Sequence, residues 1–215
     1  MQKKLLVKEF YKSIQGESSY SGLPCGFIRL SGCPLRCKWC DTVYGFKGGD
    51  LLSIDEIIEE VRSMDVPLVE LTGGEPLAQE NSFELLNRLC NENFKVLLET
   101  SGSINIEKVH RKTHIIMDLK CPDSQMSEHN LFSNLDFLKP TDEIKFVVAS
   151  KSDLDWTRMI IHEYGLEKRF PLLISPAWGL VKPNELVEWM LEYKINARLN
   201  LQIHKYIWGP KAKSV

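Results

Sequence analysis

Cys33, Cys37 and Cys40 form a C-x3-C-x2-C run, Cys33-Pro34-Leu35-Arg36-Cys37-Lys38-Trp39-Cys40. Three thiolates on one short loop suit a cubane of four irons and leave one iron without a protein ligand. An open iron can bind a substrate or cofactor directly, which a cluster held by four cysteines cannot. The competing reading is structural zinc, with Cys25 proposed as the fourth ligand; zinc sites usually draw a second ligand pair from elsewhere in the chain. The iron–sulfur reading is preferred. Cys25, Cys90 and Cys121 lie far apart in the sequence and read as small packed residues rather than as disulfide partners.

Four further segments carry polar or glycine-rich chemistry. Thr72-Gly73-Gly74-Glu75-Pro76 offers two glycines, which let backbone approach a ligand without an intervening side chain. Glu99-Thr100-Ser101-Gly102 presents a carboxylate and two hydroxyls suited to ribose hydroxyls or a charged chain. Asp118-Leu119-Lys120 and Ser175-Pro176-Ala177-Trp178 follow later. Arg29 alternates with apolar neighbours, so it points to one face of its strand, where a planar fork suits a carboxylate.

These segments share a position relative to the expected elements. Short runs rich in Val, Ile and Leu predict strands at 26–30, 68–72, 95–99, 114–118, 143–148, 171–174 and 198–203, preceded by one at 5–13. Helical patterns lie between them, at 83–90, 154–164 and 186–193, and after a capping box at Ser53-Ile54-Asp55-Glu56. Such alternation implies an α/β fold with a parallel sheet and right-handed crossovers. The chain is too short for a full eight-fold barrel of ~250 residues. An open, six-stranded partial barrel is expected, with an incomplete helical layer where 118 joins 143 by an irregular link. Ligands of such sheets bind beyond the carboxyl ends of the strands, where all four segments and the cysteine loop fall.

Composition narrows the class. The chain has 215 residues, net charge −2 and 43% hydrophobic residues, so residues 1–215 read as one globular domain. No global positive field points to nucleic acid, and Lys211 and Lys213 read as a solvated tail. No apolar run approaches the ~18–20 residues needed to span a bilayer. The stretch 1–5 lacks the apolar core of a signal peptide, and a cytoplasmic protein is expected.

The cysteine loop followed by Asp41 and Thr42 resembles that of the radical S-adenosylmethionine enzymes. Ile14-Gln15-Gly16-Glu17 and the ending Gln202-Ile203-His204-Lys205-Tyr206-Ile207-Trp208-Gly209-Pro210 resemble the 7-carboxy-7-deazaguanine synthases among them. The resemblance implies a 4Fe-4S cluster on Cys33, Cys37 and Cys40. It places S-adenosylmethionine at Trp39, Cys40, Asp41, Gly74, Glu75, Ser101, Asp118, Leu119, Lys120, Ser175, Pro176, Ala177 and Trp178. A pterin substrate is placed at Ile14, Gln15, Gly16, Glu17, Arg29, Thr72, His204 and Pro210, with Mg2+ at Thr42 and no side chain assigned as catalytic. Ser18 and Ser175 depart from the family's glycine and glutamine, and the chain runs past Pro210 to Val215.

The implied activity is that of a carbon–nitrogen lyase. A deoxyadenosyl radical drives ring contraction of 6-carboxy-5,6,7,8-tetrahydropterin to 7-carboxy-7-deazaguanine, with release of ammonia, in queuosine and 7-deazapurine biosynthesis. Implied partners are an electron donor such as flavodoxin or ferredoxin and a second copy in a homodimer. A glycyl-radical activase shares the loop and size but needs a protein-docking surface. A non-catalytic iron–sulfur or zinc module leaves the glycine-rich strand ends unexplained.

Overall fold

The computed structural model describes residues 3–215; Met1 and Gln2, the head of the N-terminal stretch, lie outside the described residues. Strand β1 (Lys4–Ile14) turns back antiparallel onto β2 (Pro24–Leu30), with Tyr11 opposite Phe27. A short β3 (Asp50–Ser53), which the apolar pattern did not predict, pairs with the outer edge of β1. Parallel to β2 run β4 (Leu68–Gly73), β5 (Lys95–Thr100), β6 (His114–Leu119), β7 (Glu143–Val148), β8 (Leu172–Pro176) and β9 (Arg198–Leu199). The sheet order is β3-β1-β2-β4-β5-β6-β7-β8-β9.

Six parallel strands of full length therefore form the frame, as expected. The strand expected at 198–203 is a correction: β9 has only two residues, and Ile203–Trp208 is instead helix α5. The ladder makes its last bond from Asn200 N–H to the Ile174 carbonyl, and the Asn200 side chain donates to Ser175 Oγ at 2.8 Å.

Helices α1 (Ile54–Ser63), α2 (Ser82–Asn91), α3 (Lys151–Glu163) and α4 (Pro183–Glu192) cover the outer face. The capping box forms: Ser53 Oγ accepts from Glu56 N–H, and Glu56 Oε2 accepts from Ser53 N–H. Proline at the start of α4 costs no hydrogen bond there. No α-helix lies between β5 and β6 or between β6 and β7, so the outer layer is incomplete at two crossovers.

Two apolar cores lie on opposite faces of the sheet. The larger packs the helices against the strands, with Ile57, Leu86, Phe146 and Leu186 all buried. The smaller fills the concave face with Cys25, Phe27, Leu68, Leu97, Ile116 and Leu173. The β1–β2 loop runs under that face: Ser19 N–H donates to Glu143 on β7, and Ser18 N–H to Asn200 Oδ1 at 2.9 Å. Ile203 N–H donates to the Gly16 carbonyl, so the open side of the sheet is bridged by this loop and α5. This mixed α/β sheet, curved and open, is consistent with a partial barrel.

Candidate active site

A strand buried on one face by helices and on the other by ligand must still alternate its side chains. On β4, Leu68, Glu70 and Thr72 share the concave face; on β7, Glu143, Lys145 and Val147 do. A charged residue in the middle of an apolar run was thus the sequence mark of a site wall, and Glu70 and Lys145 were passed over. Both line the cavity of about 620 Å³ at the carboxyl ends of the strands.

The three cysteines line that cavity, half-buried and free of disulfides. Burial pushes their thiols above the ordinary value; binding to a metal deprotonates such thiols outright. Their loop is anchored at both ends. Gly32 N–H donates to the Gly45 carbonyl, and Lys38 N–H donates to the Ser124 carbonyl. Among the described residues no group of three His, Cys, Asp or Glu side chains is placed to hold a single metal ion. A cubane spreads its thiolates wider than one ion does, so three thiols facing a cavity fit a cluster.

The zinc alternative loses its fourth ligand. Cys25 is fully buried at the amino end of β2, about 16 Å of strand from the loop. His110 and His114 have the H-x3-H spacing of a zinc ligand pair, but His114 begins β6 at the opposite end from the thiols. Cys90 is buried in α2 and Cys121 beside Thr157, as packing residues.

Gly74 seats the glycine-rich strand end against the cluster loop. A Cβ there would overlap the Gly32 carbonyl and lie 2.7 Å from Cys33 Cβ. The side chains of Glu75 and Leu119 do not reach the cavity, which leaves only their backbone for a ligand. Glu75 is fully buried, where it accepts from Leu77 N–H, Thr100 Oγ1 and both Ser101 N–H and Oγ. It fixes the β5 end, and with it Ser101. Strand alternation buries the Leu119 side chain in the outer core.

The other expected cofactor residues meet at the same wall. Trp39, Asp41, Ser101, Asp118, Lys120 and the run Ser175 to Trp178 all line the cavity. Lys120 Nζ donates to Asp118 Oδ2 at 2.8 Å, while Asp118 Oδ1 is buried with no partner. An orphaned acceptor at a cavity wall fits a ligand that brings donors. Asp41 is tied to Lys205 Nζ at 2.6 Å; burial would raise its carboxyl, but Lys205 holds it well below the usual range.

Ile14, Gln15, Gly16, Glu17, Arg29, Thr72, His204 and Pro210, the residues expected for the substrate, line the same cavity, as does Thr42. Arg29 Nε donates to Glu9 Oε1 at 2.7 Å, its Nη2 to Tyr11 Oη at 2.9 Å and its Nη1 to the Gly73 carbonyl at 3.3 Å, so the guanidinium is held by the protein where it lines the cavity. Burial would raise Glu9, but Arg29, Tyr44 and Ser214 outweigh it and hold its carboxyl low. Thr42 Oγ1 donates to Asp41 Oδ1 at 3.1 Å. His204 packs on Gly16, and burial holds its imidazole below the ordinary value.

Lys145 is the hub of the floor. It pairs with Glu17 at 2.7 Å, with Glu99, and with Asp118 at 3.8 Å. Burial would lower its ammonium, but those carboxylates hold it well above the ordinary value. The tail differs from a free solvated end: residues 211–215 lie at the cavity mouth, with Lys213 Nζ 4.5 Å from the Tyr44 ring.

Comparison with known proteins accounts for this constellation. The Radical SAM superfamily model matches residues 27–127. A 7-carboxy-7-deazaguanine synthase of Chlorobaculum tepidum is 43% identical over 98% of this chain and 97% of its own length. The corresponding protein of Koribacter versatilis is 44% identical over 97% of this chain and 99% of its own. The chain belongs to the 7-carboxy-7-deazaguanine synthase family. Its fold is similar to the crystal structure of QueE from Escherichia coli, with TM-score 0.76 over 92% of this chain and 93% of that one at 22% identity. Members of the family are radical SAM enzymes, and the cysteine loop with its glycine-rich neighbour is the part of this chain that the superfamily model covers.

Proposed function

We propose that this chain is a single-domain enzyme that converts 6-carboxy-5,6,7,8-tetrahydropterin to 7-carboxy-7-deazaguanine with release of ammonia, in the biosynthesis of queuosine and related 7-deazapurines. One observation carries the reading: a single cavity joins the three-cysteine loop, the glycine-rich strand end, the Gln15–Glu17 turn and the C-terminal segment around His204. Relatives with the synthase name span the same length of chain.

Cys33, Cys37 and Cys40 would hold the 4Fe-4S cluster, and Gly74, Ser101, Asp118 and Lys120 the S-adenosylmethionine. When bound, this pair supplies a one-electron cleavage that abstracts hydrogen from carbon. The chain's own residues do the rest. Arg29, already held at the cavity by Glu9, Tyr11 and the Gly73 carbonyl, meets the substrate carboxylate. Gln15, Glu17 and His204 read the heterocycle, and Thr42 would offer a hydroxyl oxygen to Mg2+, a hard ion that takes oxygen ligands. The protein closes the floor with Lys145 and its carboxylates, which excludes water from the reacting carbon. A small electron carrier such as flavodoxin or ferredoxin supplies the electron, and the working form is a cytoplasmic homodimer. No helix among the described residues is long and apolar enough to cross a membrane.

The test is anaerobic reconstitution with iron and sulfide, then assay with the carboxytetrahydropterin, S-adenosylmethionine, Mg2+ and a strong reductant. Formation of the carboxydeazaguanine and ammonia in equal amounts is expected. Cleavage of S-adenosylmethionine without any pterin product would redirect the chain to another radical reaction.

A further inference from the structure

Of the carboxylates on the concave face, Glu17, Glu70, Glu99 and Asp118 line the cavity around Lys145. Lys145 and Lys120 serve three of them, whereas Glu70 has no ion pair among the described residues. It is 1% exposed, and its hydrogen-bond partner is Gln15, whose Nε2 donates to Glu70 Oε2 at 2.6 Å. The direction of that bond is fixed from outside the pair. Gln15 Oε1 accepts from the backbone N–H of Glu17, a group that can only donate. The amide nitrogen must then face Glu70, and Glu70 Oε2 must accept. The carbonyl oxygen of a carboxylic acid accepts far better than its hydroxyl, so a proton on Glu70 belongs on Oε1, which has no protein partner and is not among the sealed polar atoms of the interior. Glu70 also lines the cavity.

A buried carboxylate without a cation is costly, and the group takes up a proton instead. The groups facing Glu70 are Tyr11 on β1, Cys25 on β2, Glu99 on β5, Glu17 on the turn and Lys145 on β7. The one cation among them is already engaged by Glu17 and Glu99. Burial, reinforced by Glu99, holds the Glu70 carboxyl well above its ordinary value.

We infer that Glu70 is a specificity-determining residue that meets the ligand as a neutral acid, its free oxygen donating to an acceptor on the ligand's buried edge. The ligand class is a lactam-like heterocycle, with a carbonyl or unprotonated ring nitrogen beside N–H groups. The donor-bearing part of that edge faces Glu17 and Glu99, the two carboxylates paired with Lys145. An all-donor edge would leave the Glu70 proton unpaired in a dry site, which is a strong basis for rejection. This inference rests on the proposed pterin reaction for the identity of the ligand, but not for the state of Glu70.

The test uses the full reconstituted chain. In the infrared difference between wild type and Glu70→Gln at neutral pH, the carbonyl band of a protonated carboxyl is expected. Glu70→Gln keeps a neutral acceptor for Gln15 and a donor for the ligand, so carboxytetrahydropterin affinity should stay within about threefold of wild type. Glu70→Leu should weaken it about tenfold or more, since buried partners are left unpaired. Calorimetry in buffers of different ionisation heat should show no proton released from Glu70 on binding. A missing carboxyl band, or a Glu70→Gln affinity as weak as that of Glu70→Leu, overturns the inference. The band and Glu70→Gln decide this even should the leucine variant fail to fold. If the wild type neither binds nor turns over the pterin while the band is present, the functional reading fails and the ligand half of the inference with it.

Discussion

Arg29 has its guanidinium held at the cavity by three protein partners, Glu9, Tyr11 and the Gly73 carbonyl, so its position there does not depend on a ligand. A charge-assisted hydrogen bond of this kind contributes about 1.5–3 kcal/mol. Arg29→Ala should therefore raise the pterin dissociation constant by at least about tenfold. Cleavage of S-adenosylmethionine in the absence of pterin should remain near wild type, and equal loss of both activities would make Arg29 structural. The cysteines give a sharper contrast. Alanine at Cys33, Cys37 or Cys40 should abolish the visible absorbance and the roughly four irons per chain of the reconstituted cluster. Cys25→Ala should keep both, because Cys25 lies at the other end of β2. Thr42→Val keeps the shape at the loop but removes the oxygen. Its turnover should lose most of its response to Mg2+ while iron content is unchanged; an undiminished response would exclude Thr42 as a ligand.

At the scale of elements, the site depends on how the Gln15–Glu17 turn meets α5. Gly16 lies flat against the His204 ring, and a Cβ at position 16 would overlap Nδ1. Gly16→Ala should push α5 outward, since its first N–H bonds the Gly16 carbonyl. Weaker pterin binding with a full complement of iron is the expected result. The double variant Gly16→Ala/His204→Ala should lose less binding than the sum of the two single losses, whereas simple additivity would mean that the two do not meet. The Lys205–Asp41 pair makes the same link from the other side, joining α5 to the cluster loop. The Gln15–Glu17 turn and the cysteine loop are thus held in register by one short helix.

For the whole molecule, the concave face is closed by polar contacts as well as by the inner apolar core. Glu143 on β7 accepts from Ser19 of the β1–β2 loop, and Glu17 of the same loop pairs with Lys145. Burial alone would raise both carboxyls, but His114 and Ser19 hold Glu143 low and Lys145 holds Glu17 low. Groups depressed in the folded state contribute stability that is fully present above the unfolded carboxylate value of 4.5 and is lost as pH falls through their folded values. The melting temperature should therefore fall steeply on acidification below that point. Glu143→Gln should be less stable than wild type at neutral pH and show a shallower acid slope. Parallel slopes in differential scanning calorimetry would remove Glu143 from the latch.

The parallel frame and the cavity's position were legible in the sequence, because β-branched runs, helix caps and glycine-rich strand ends are local features with local causes. The cysteine loop was legible for the same reason: three ligands within eight residues need no tertiary fold to be neighbours. What the fold alone decided is which way each side chain turns and who its partner is. Glu75 and Leu119 stood in the right motifs yet point away from the cavity, one toward the β5 end and one into the outer core. Ile203–Trp208 is a helix rather than a strand, the ladder making its last bond at Asn200. Glu70 and Lys145 gained their meaning only when curvature of the sheet brought β4, β5 and β7 around one floor. Their charge states follow from a count of buried partners, and that count belongs to the tertiary structure.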